Sequence, residues 1–460
     1  MRRIAVAAVA IATAALLSAS TAIARGSRGA ASSSVPLLVV GHAFPSASRQ
    51  APPPPTSAQC AAATGGVVQA CYGPPDIRNQ YDFNPLYTSG TTGSGQTIVI
   101  FDSFGSPTIR QDLANFDATY GIPAPPSFNI YEPEGHVHYA YGPGDTHPSK
   151  LALTQINWAY ETTLDVEWAH AMAPGANIAL VVTPVAETEG VQGLQNLQNA
   201  QRWALQNHIG TIWSNSYAAT EQSFHNPAVV ERLDRFYAQA AADGVSAFFA
   251  SGDTGVANVN KQGAVYPFPT VNYPTSSPNV ISVGGTEIPN PPATISSYQP
   301  EAVWNDCCGA GGGGYSSVFS EPPFQSGASI LDPSGMRGVP DVSYNAALVS
   351  AILIWESFDP TASGPAWVII GGTSAATPQW AAVDALANQA DGPLGFLAPR
   401  LYQVYENATA YASAFHDITA GDNSWQGLTG YDAGPGWDAA SGLGTPDASA
   451  LVQALKSTSP

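Results

Sequence analysis

The stretch WVIIGGTSAATPQWAA, residues 367–382, reads as a strand, a glycine turn and a helix in direct succession. Trp367 to Ile370 is a short β-branched and aromatic run; Gly371 and Gly372 break it; from Ala375 the spacing of apolar residues is helical, with Pro378 tolerated in the first turn. Ser374 therefore falls at a strand-to-helix junction. There its hydroxyl is expected to be exposed, and its amide lies at the positive end of a helix, where a developing oxyanion can be stabilised. That arrangement suits acyl transfer. A serine in this position also suits the plainer role of helix cap, and the segment alone leaves both readings open.

Working outward, strand-like runs occur at Thr97 to Ser103, Asn177 to Thr183, Gly210 to Ser216, Val245 to Ser251 and Val280 to Gly285. Helical patterns lie between them, at Trp158 to Ala171, Val191 to Asn207 and Val229 to Ala242. Val-, Ile- and Phe-rich strands that alternate with helices predict an α/β domain with a mainly parallel sheet covered on both faces. In such sheets, sites form at the carboxyl ends of the strands.

Composition narrows the function. Of 460 residues, 15 are Lys or Arg and 34 are Asp or Glu, a formal charge of -19, which argues against nucleic-acid or anionic-membrane partners. Only 11% of residues are charged, so few ion pairs hold the fold and acid should break few of them. Arg2 and Arg3, the apolar run Ile4 to Leu17 and Ala22-Ile23-Ala24 read as a signal peptide over residues 1–24, since the run is shorter than the roughly 20 residues that span a bilayer. A secreted, extracellular, monomeric protein without membrane attachment after processing is expected. Residues 25–73 are rich in Ser, Ala and Pro, and up to about Ser57 they read as an extended or disordered linker; residues 74–460 read as one large domain. Cys60 and Cys71 enclose a short loop and are expected to pair, whereas adjacent Cys307 and Cys308 either form a vicinal bond or stay reduced.

The segment GGTSAATPQWAA (371–382) resembles the nucleophile segment shared by subtilisin-like and sedolisin-like peptidases. Subtilisins also use an aspartate after the first strand, for which Asp102 is available, and a histidine in a His-Gly segment; none of the eight histidines is followed by glycine. In place of that histidine helix stands YETTLDVEWAHAMAPGANI (160–178), which resembles the Glu-x-x-x-Asp helix of the sedolisins, the serine-carboxyl peptidases. Glu161 and Asp165 are one helical turn apart, so both carboxyls share a face, and the apolar residues around them leave little room for a solvated one. His170 falls on another face and reads as structural. FFASGDTG (248–255) resembles the turn whose aspartate lines the oxyanion hole, which implies that role for Asp253 in its protonated form.

The resemblance extends over about residues 74–456 and implies a subtilisin-like three-layer domain. It implies Ser374 as nucleophile, Glu161 as base, Asp165 as its orienting partner, and protein or peptide substrates cleaved at acid pH. HDIT (416–419) and AGPGWDAASGLGTP (433–446) are similar to the sedolisin calcium loop, which implies one Ca²⁺ held by Asp417, Ile418, Gly434, Gly436 and Asp438. WSNSYAATE (213–221) resembles the substrate-binding strand, implying a backbone edge at Ser216, Tyr217 and Ala218; Tyr217 suits either a subsite wall or the core. The large folded propeptide of that family has no counterpart in residues 25–73. This keeps a second reading in view, a catalytically silent peptide-binding protein on the same fold.

Overall fold

The computed structural model describes residues 39–187, 193–326 and 335–458, so the expected signal peptide and the first part of the Ser/Ala/Pro-rich segment lie outside the described residues. Val39–Pro45 (β1) and Ala70–Tyr72 (β2) come first. Thr97–Ser103 (β3), Phe128–Tyr131 (β4), Asn177–Thr183 (β5), Ile212–Asn215 (β6), Ala219–Thr220 (β7), Ser246–Ala250 (β8), Asn272–Tyr273 (β9), Ile281–Glu287 (β10) and Ala302–Val303 (β11) follow. Then come Gly314–Ser320 (β12), Met336–Val339 (β13), Val342–Asn345 (β14), Ser350–Glu356 (β15) and Ala366–Gly371 (β16).

The central sheet runs β11-β10-β8-β6-β3-β5-β4, with β14 added on β10. Every pairing in it is parallel except β10 with β11. β3 and β5 pair from Thr97 with Asn177 to Ser103 with Thr183, and beyond its first residue each strand is buried throughout. Burial on both faces is why these strands read as continuous apolar runs, and why one acid inside β3, Asp102, stands out.

Helices flank the sheet, which gives the three-layer α/β arrangement. The long helix Lys150–Met172, here called the carboxyl helix, starts where the Ser149 side chain accepts from the Ala152 amide. It begins earlier than the pattern predicts because Leu151 and Leu153 face solvent there and blur the amphipathic signal. Helices Leu194–Gln206 and Pro227–Ala242 connect β5 to β6 and β7 to β8. Thr373–Asp391, the serine helix, packs on β3, β6, β8, β10 and β14 and against the carboxyl helix.

A second sheet, β1-β16-β15-β2, carries the strand that leads into the serine, which therefore does not belong to the central sheet. This sheet also corrects the reading of residues 39–57 as a linker. β1 is extended but paired, antiparallel to β16 from Val40–Ile370 to Pro45–Ala366, and Trp367 donates its indole N–H to the Pro52 carbonyl at 2.8 Å. An unpaired edge on β16 would leave backbone groups without partners, and β1 supplies them. Thr56 then caps the helix Ser57–Ala63 reciprocally with Gln59, and a Cys60–Cys71 disulfide closes the loop to β2. The expected boundary at residue 74 thus falls after elements already built into the domain.

Candidate active site

Gly372 makes the serine turn possible. At φ 114° it adopts a backbone that side-chain-bearing residues rarely tolerate, and its amide donates to the Ala346 carbonyl at 2.6 Å. The serine helix starts at the next residue with Gly372 as its cap and no side-chain cap bond, so Ser374 is inside the first turn and is not the cap. Contrary to the expected exposure, Ser374 is fully buried, because the carboxyl helix packs against the serine helix here. Its hydroxyl has no aligned hydrogen-bond partner among the described residues.

On the carboxyl helix, Glu161 and Asp165 are both fully buried. Burial first, then the charges of Asp165 and Asp102, hold Glu161 well above the ordinary carboxyl range, while the nearby Ser374 hydroxyl opposes that rise. Among the described residues neither Glu161 oxygen has an aligned hydrogen bond, although the Ser374 hydroxyl lies close enough to bear on its proton. Asp165 is also pushed well up, by burial and then by Asp102, and its Oδ1 accepts from the Ser216 hydroxyl at 2.9 Å. Its Oδ2 is buried without a partner among the described residues and is free to hold a proton.

Asp253, in the turn after β8, is locked to the serine turn. Its Oδ1 accepts from the Thr373 amide and the Thr373 hydroxyl, both at 2.8 Å, and the Gly252 amide donates to that hydroxyl oxygen at 3.1 Å. Burial raises Asp253 to about 7 against the lowering effect of those bonds. Oδ2 is buried and without a partner among the described residues, so it is the oxygen open to carry a proton when the carboxyl is neutral.

Sequence reasoning assigned Asp102 no place beside the acid pair, yet it is fully buried and its charge acts on both Glu161 and Asp165. Burial lifts it to about 7, with the Thr162 hydroxyl opposing. The signal was present: an acid in the middle of a both-faces-buried strand has no solvated alternative. His170 is buried and structural, its Nε2 lying 2.9 Å from the Pro123 carbonyl and 3.5 Å from Asp117.

Ser216, Tyr217 and Ala218 join β6 to β7 outside regular strand. The Tyr217 side chain belongs to the core, which corrects its candidacy as a subsite wall: it is 1% exposed, packs edge-on against Phe249, and its hydroxyl meets Gln201 Nε2 at 2.8 Å and Asn215 Oδ1 at 3.1 Å. Near the C-terminus, the Gly436 amide donates to both Asp417 oxygens at 3.1 and 3.0 Å, and the Gly434 amide to Asp438 Oδ2 at 3.0 Å. Ile418 adjoins Asp417, so the five residues meet in one loop pair. Two carboxylates in a glycine-rich loop pair are hard-oxygen donors of the kind Ca²⁺ takes, and that chemistry fits the ion.

A serine helix packed on a mainly parallel sheet, with buried carboxyls beside its serine, defines a subtilisin-like three-layer domain. A sequence profile described as the subtilase family matches residues 159–431. The chain is 32% identical over 395 residues to kumamolisin from Bacillus sp. (strain MN-32), covering 84% of this chain and 63% of that protein. It is 30% identical over 391 residues to sedolisin from Pseudomonas sp. (strain 101), covering 82% of this chain and 61% of that protein. It is 33% identical over 325 residues to Homo sapiens tripeptidyl-peptidase 1, 64% of this chain and 51% of that one. The chain thus spans less than two thirds of the length of these relatives. A solved structure of Pseudomonas sedolisin, a serine-carboxyl proteinase complexed with two molecules of pseudo-iodotyrostatin, superposes with TM-score 0.68 at 30% identity, covering 85% of this chain and 99% of that one. The chain belongs to the subtilase family of serine-type peptidases and, within it, to the sedolisins.

The carboxyl cluster fixes a sign for stability. Asp102 and Asp253 are raised to about 7, and Glu161 and Asp165 move the same way, from unfolded values near 4. A raised carboxyl stabilises the fold below its unfolded value and loses that contribution as pH rises through the folded one, at about 1.4 kcal/mol per group per pH unit. Melting followed by circular dichroism should therefore show the highest Tm near pH 4 and a steady fall toward about pH 7; a Tm that climbs over that interval contradicts the cluster.

Proposed function

We propose that the protein is a secreted, acid-acting serine-carboxyl endopeptidase that cleaves protein and peptide substrates through an acyl-enzyme on Ser374. One observation carries this reading: a buried serine hydroxyl at a helix start, beside a buried glutamate, with neither group committed to another partner.

In this reading an extended substrate adds its backbone to the 216–218 edge, which places the scissile carbonyl over Ser374. Glu161, once the coupled cluster has released the proton it shares, takes the hydroxyl proton as Ser374 Oγ attacks the carbonyl carbon. Asp165, holding a proton on Oδ2, donates to Glu161 and orients it, while buried Asp102 beside the pair adds to the cost of a second charge in the cluster. The tetrahedral oxyanion is met by the Ser374 amide and by the proton on Asp253 Oδ2. Glu161 returns its proton to the leaving amine. Water, activated by the same carboxylate, then releases the acyl group from Ser374.

Secretion is supported by the apolar run after Arg2 and Arg3 and by the two disulfides, Cys60–Cys71 and Cys307–Cys308, which suit an oxidising compartment. Among the described residues, no helix is long and apolar enough to cross a membrane. Asp417, Asp438 and the carbonyls of Ile418, Gly434 and Gly436 would hold one Ca²⁺, which would cross-link two loop segments and take no part in the chemistry.

The pH dependence follows from the two roles. Asp253 must stay protonated, so activity should fall as its proton leaves through about 7; on the other side the limit is set by how readily the coupled Glu161–Asp165–Asp102 cluster, raised by burial, releases the one proton that frees Glu161. On a denatured protein substrate, kcat/KM should peak in acid, and Ser374→Ala should reduce it by at least about 1000-fold at every pH; undiminished cleavage by that variant, or a profile that is flat through neutrality, overturns the reading. For the metal, excess chelator should lower Tm by at least about 5 °C. An unchanged Tm in chelator removes the calcium proposal and leaves the catalytic one standing.

A further inference from the structure

The Cys307–Cys308 bridge lies on the loop that holds the oxyanion aspartate. The two adjacent cysteines are bonded, and Cys307 is exposed while both residues of Cys60–Cys71 are buried, at 0% and 5% exposure. Asp306, the residue before them, gathers the loop around its carboxylate. Its Oδ1 accepts from the Cys308 and Gly309 amides at 2.8 and 3.2 Å, and its Oδ2 from the Leu348 and Val349 amides at 3.1 and 3.2 Å.

The same loop is knitted to the turn that carries Asp253. The Ala310 amide donates to the Asp253 carbonyl at 3.1 Å, the Gly255 amide to the Ala310 carbonyl at 2.8 Å, and the Gly312 amide to the Gly252 carbonyl at 2.8 Å. Contact is close enough that a Cβ on Gly309 would sit 3.0 Å from the Asp253 carbonyl oxygen. Asp306 is also near enough for its charge to add to the burial that raises Asp253. Asp253 is thus fixed from two sides, by Thr373 through its carboxyl and by residues 309–312 through its backbone.

We propose that the Cys307–Cys308 bridge is a redox modification site that controls the seating of Asp253, closed in an oxidising compartment and opened by thiol, dithiol or phosphine reductants. This rests on the serine-carboxyl reading of Ser374 and Asp253. While the bridge is closed, a small covalent ring leaves the 307–308 peptide little conformational freedom, and the amides of Cys308 and Gly309 stay on Asp306. Opening returns backbone freedom to both residues, which loosens the Asp306 cradle and with it the bond from Ala310 to Asp253. As bonded, the sulfurs are not thiolates and hold no metal; the cluster of Asp306, Cys307 and Cys308 becomes a dithiol only after reduction.

With a water-soluble trialkylphosphine, phosphorus attacks the exposed Cys307 sulfur, the S–S bond breaks, and the Cys308 sulfur leaves as thiolate and is protonated. Water then displaces the Cys307 thiol from phosphorus, so the phosphine is oxidised to its oxide and the disulfide is reduced to two thiols. This chemistry proceeds at acid pH, where the protein is expected to be folded.

The folded full-length protein is treated with the phosphine at acid pH, and alkylation with mass spectrometry identifies the thiols formed. Reduction at 307 and 308, with 60 and 71 still bonded, should lower kcat by about tenfold with KM little changed, because Asp253 acts on the transition state. Re-oxidation with a small-molecule disulfide should restore it. A Cys307→Ser/Cys308→Ser variant should show the lowered kcat and no response to phosphine. In parallel, hydrogen exchange of the peptide containing Ala310 should accelerate on reduction while the segment 57–72 does not. Reduced 307–308 thiols with unchanged Ala310 exchange overturn the inference whether or not the protein is active; a fully oxidised protein without peptidase activity overturns the function reading and leaves the exchange result to decide this one.

Discussion

The structure depends on burying carboxyl groups without cations. Glu161, Asp165 and Asp102 share one interior site, Asp253 lies close by, and among the described residues no Lys or Arg pairs with any of them. An ionised carboxylate removed from water and left unpaired is far costlier than a protonated one, so the site persists by holding protons. In the proposed mechanism the protons that the fold requires are those the chemistry would use: one on Asp165 to orient the base, one on Asp253 to meet an oxyanion. Stability and catalysis thus respond to the same variable.

Several other interior carboxyls follow the same rule. Glu167 and Glu301 are raised mainly by burial, Asp384 to about 7 and Glu356 to about 8, and their partners are amides and hydroxyls. Glu301, for example, accepts from Tyr81, Thr286 and Thr445 at 2.7, 2.6 and 2.7 Å. Among the described residues, Arg337 with Asp341 is the one ion pair that does not rely on histidine. A protein held together this way has few native pairs for acid to break, and it accumulates unfavourable buried charge as pH rises.

Much of the fold was legible because parallel strands buried on both faces leave uninterrupted Val, Ile and Phe runs, and β3, β5, β6, β8 and β10 lie within a residue or two of where those runs place them. Glu161 and Asp165 were legible because one-turn spacing inside an apolar helix leaves two acids no solvent to face. What stayed hidden depended on long-range adjacency. Asp102 joins the acid pair only because β3 runs beneath the carboxyl helix, and β1 is a strand only because β16 offers it an edge. Tyr217 follows the end of β6, where strand alternation no longer says which way a side chain points, and it turned into the core. The burial of Ser374 comes from a helix that begins more than two hundred residues earlier in the chain.

The central claim is that Ser374 itself bonds covalently to substrate, with a carboxyl cluster as its base. The most direct measurement is to quench a reaction with a peptide ester at acid pH on the millisecond scale, digest the protein and map any acyl mass by tandem mass spectrometry. The account predicts a transient acyl group on the peptide that contains Ser374, absent when the reaction is run above the pH at which Asp253 ionises. Acylation at another residue, or rapid turnover with no covalent species at Ser374, would contradict it.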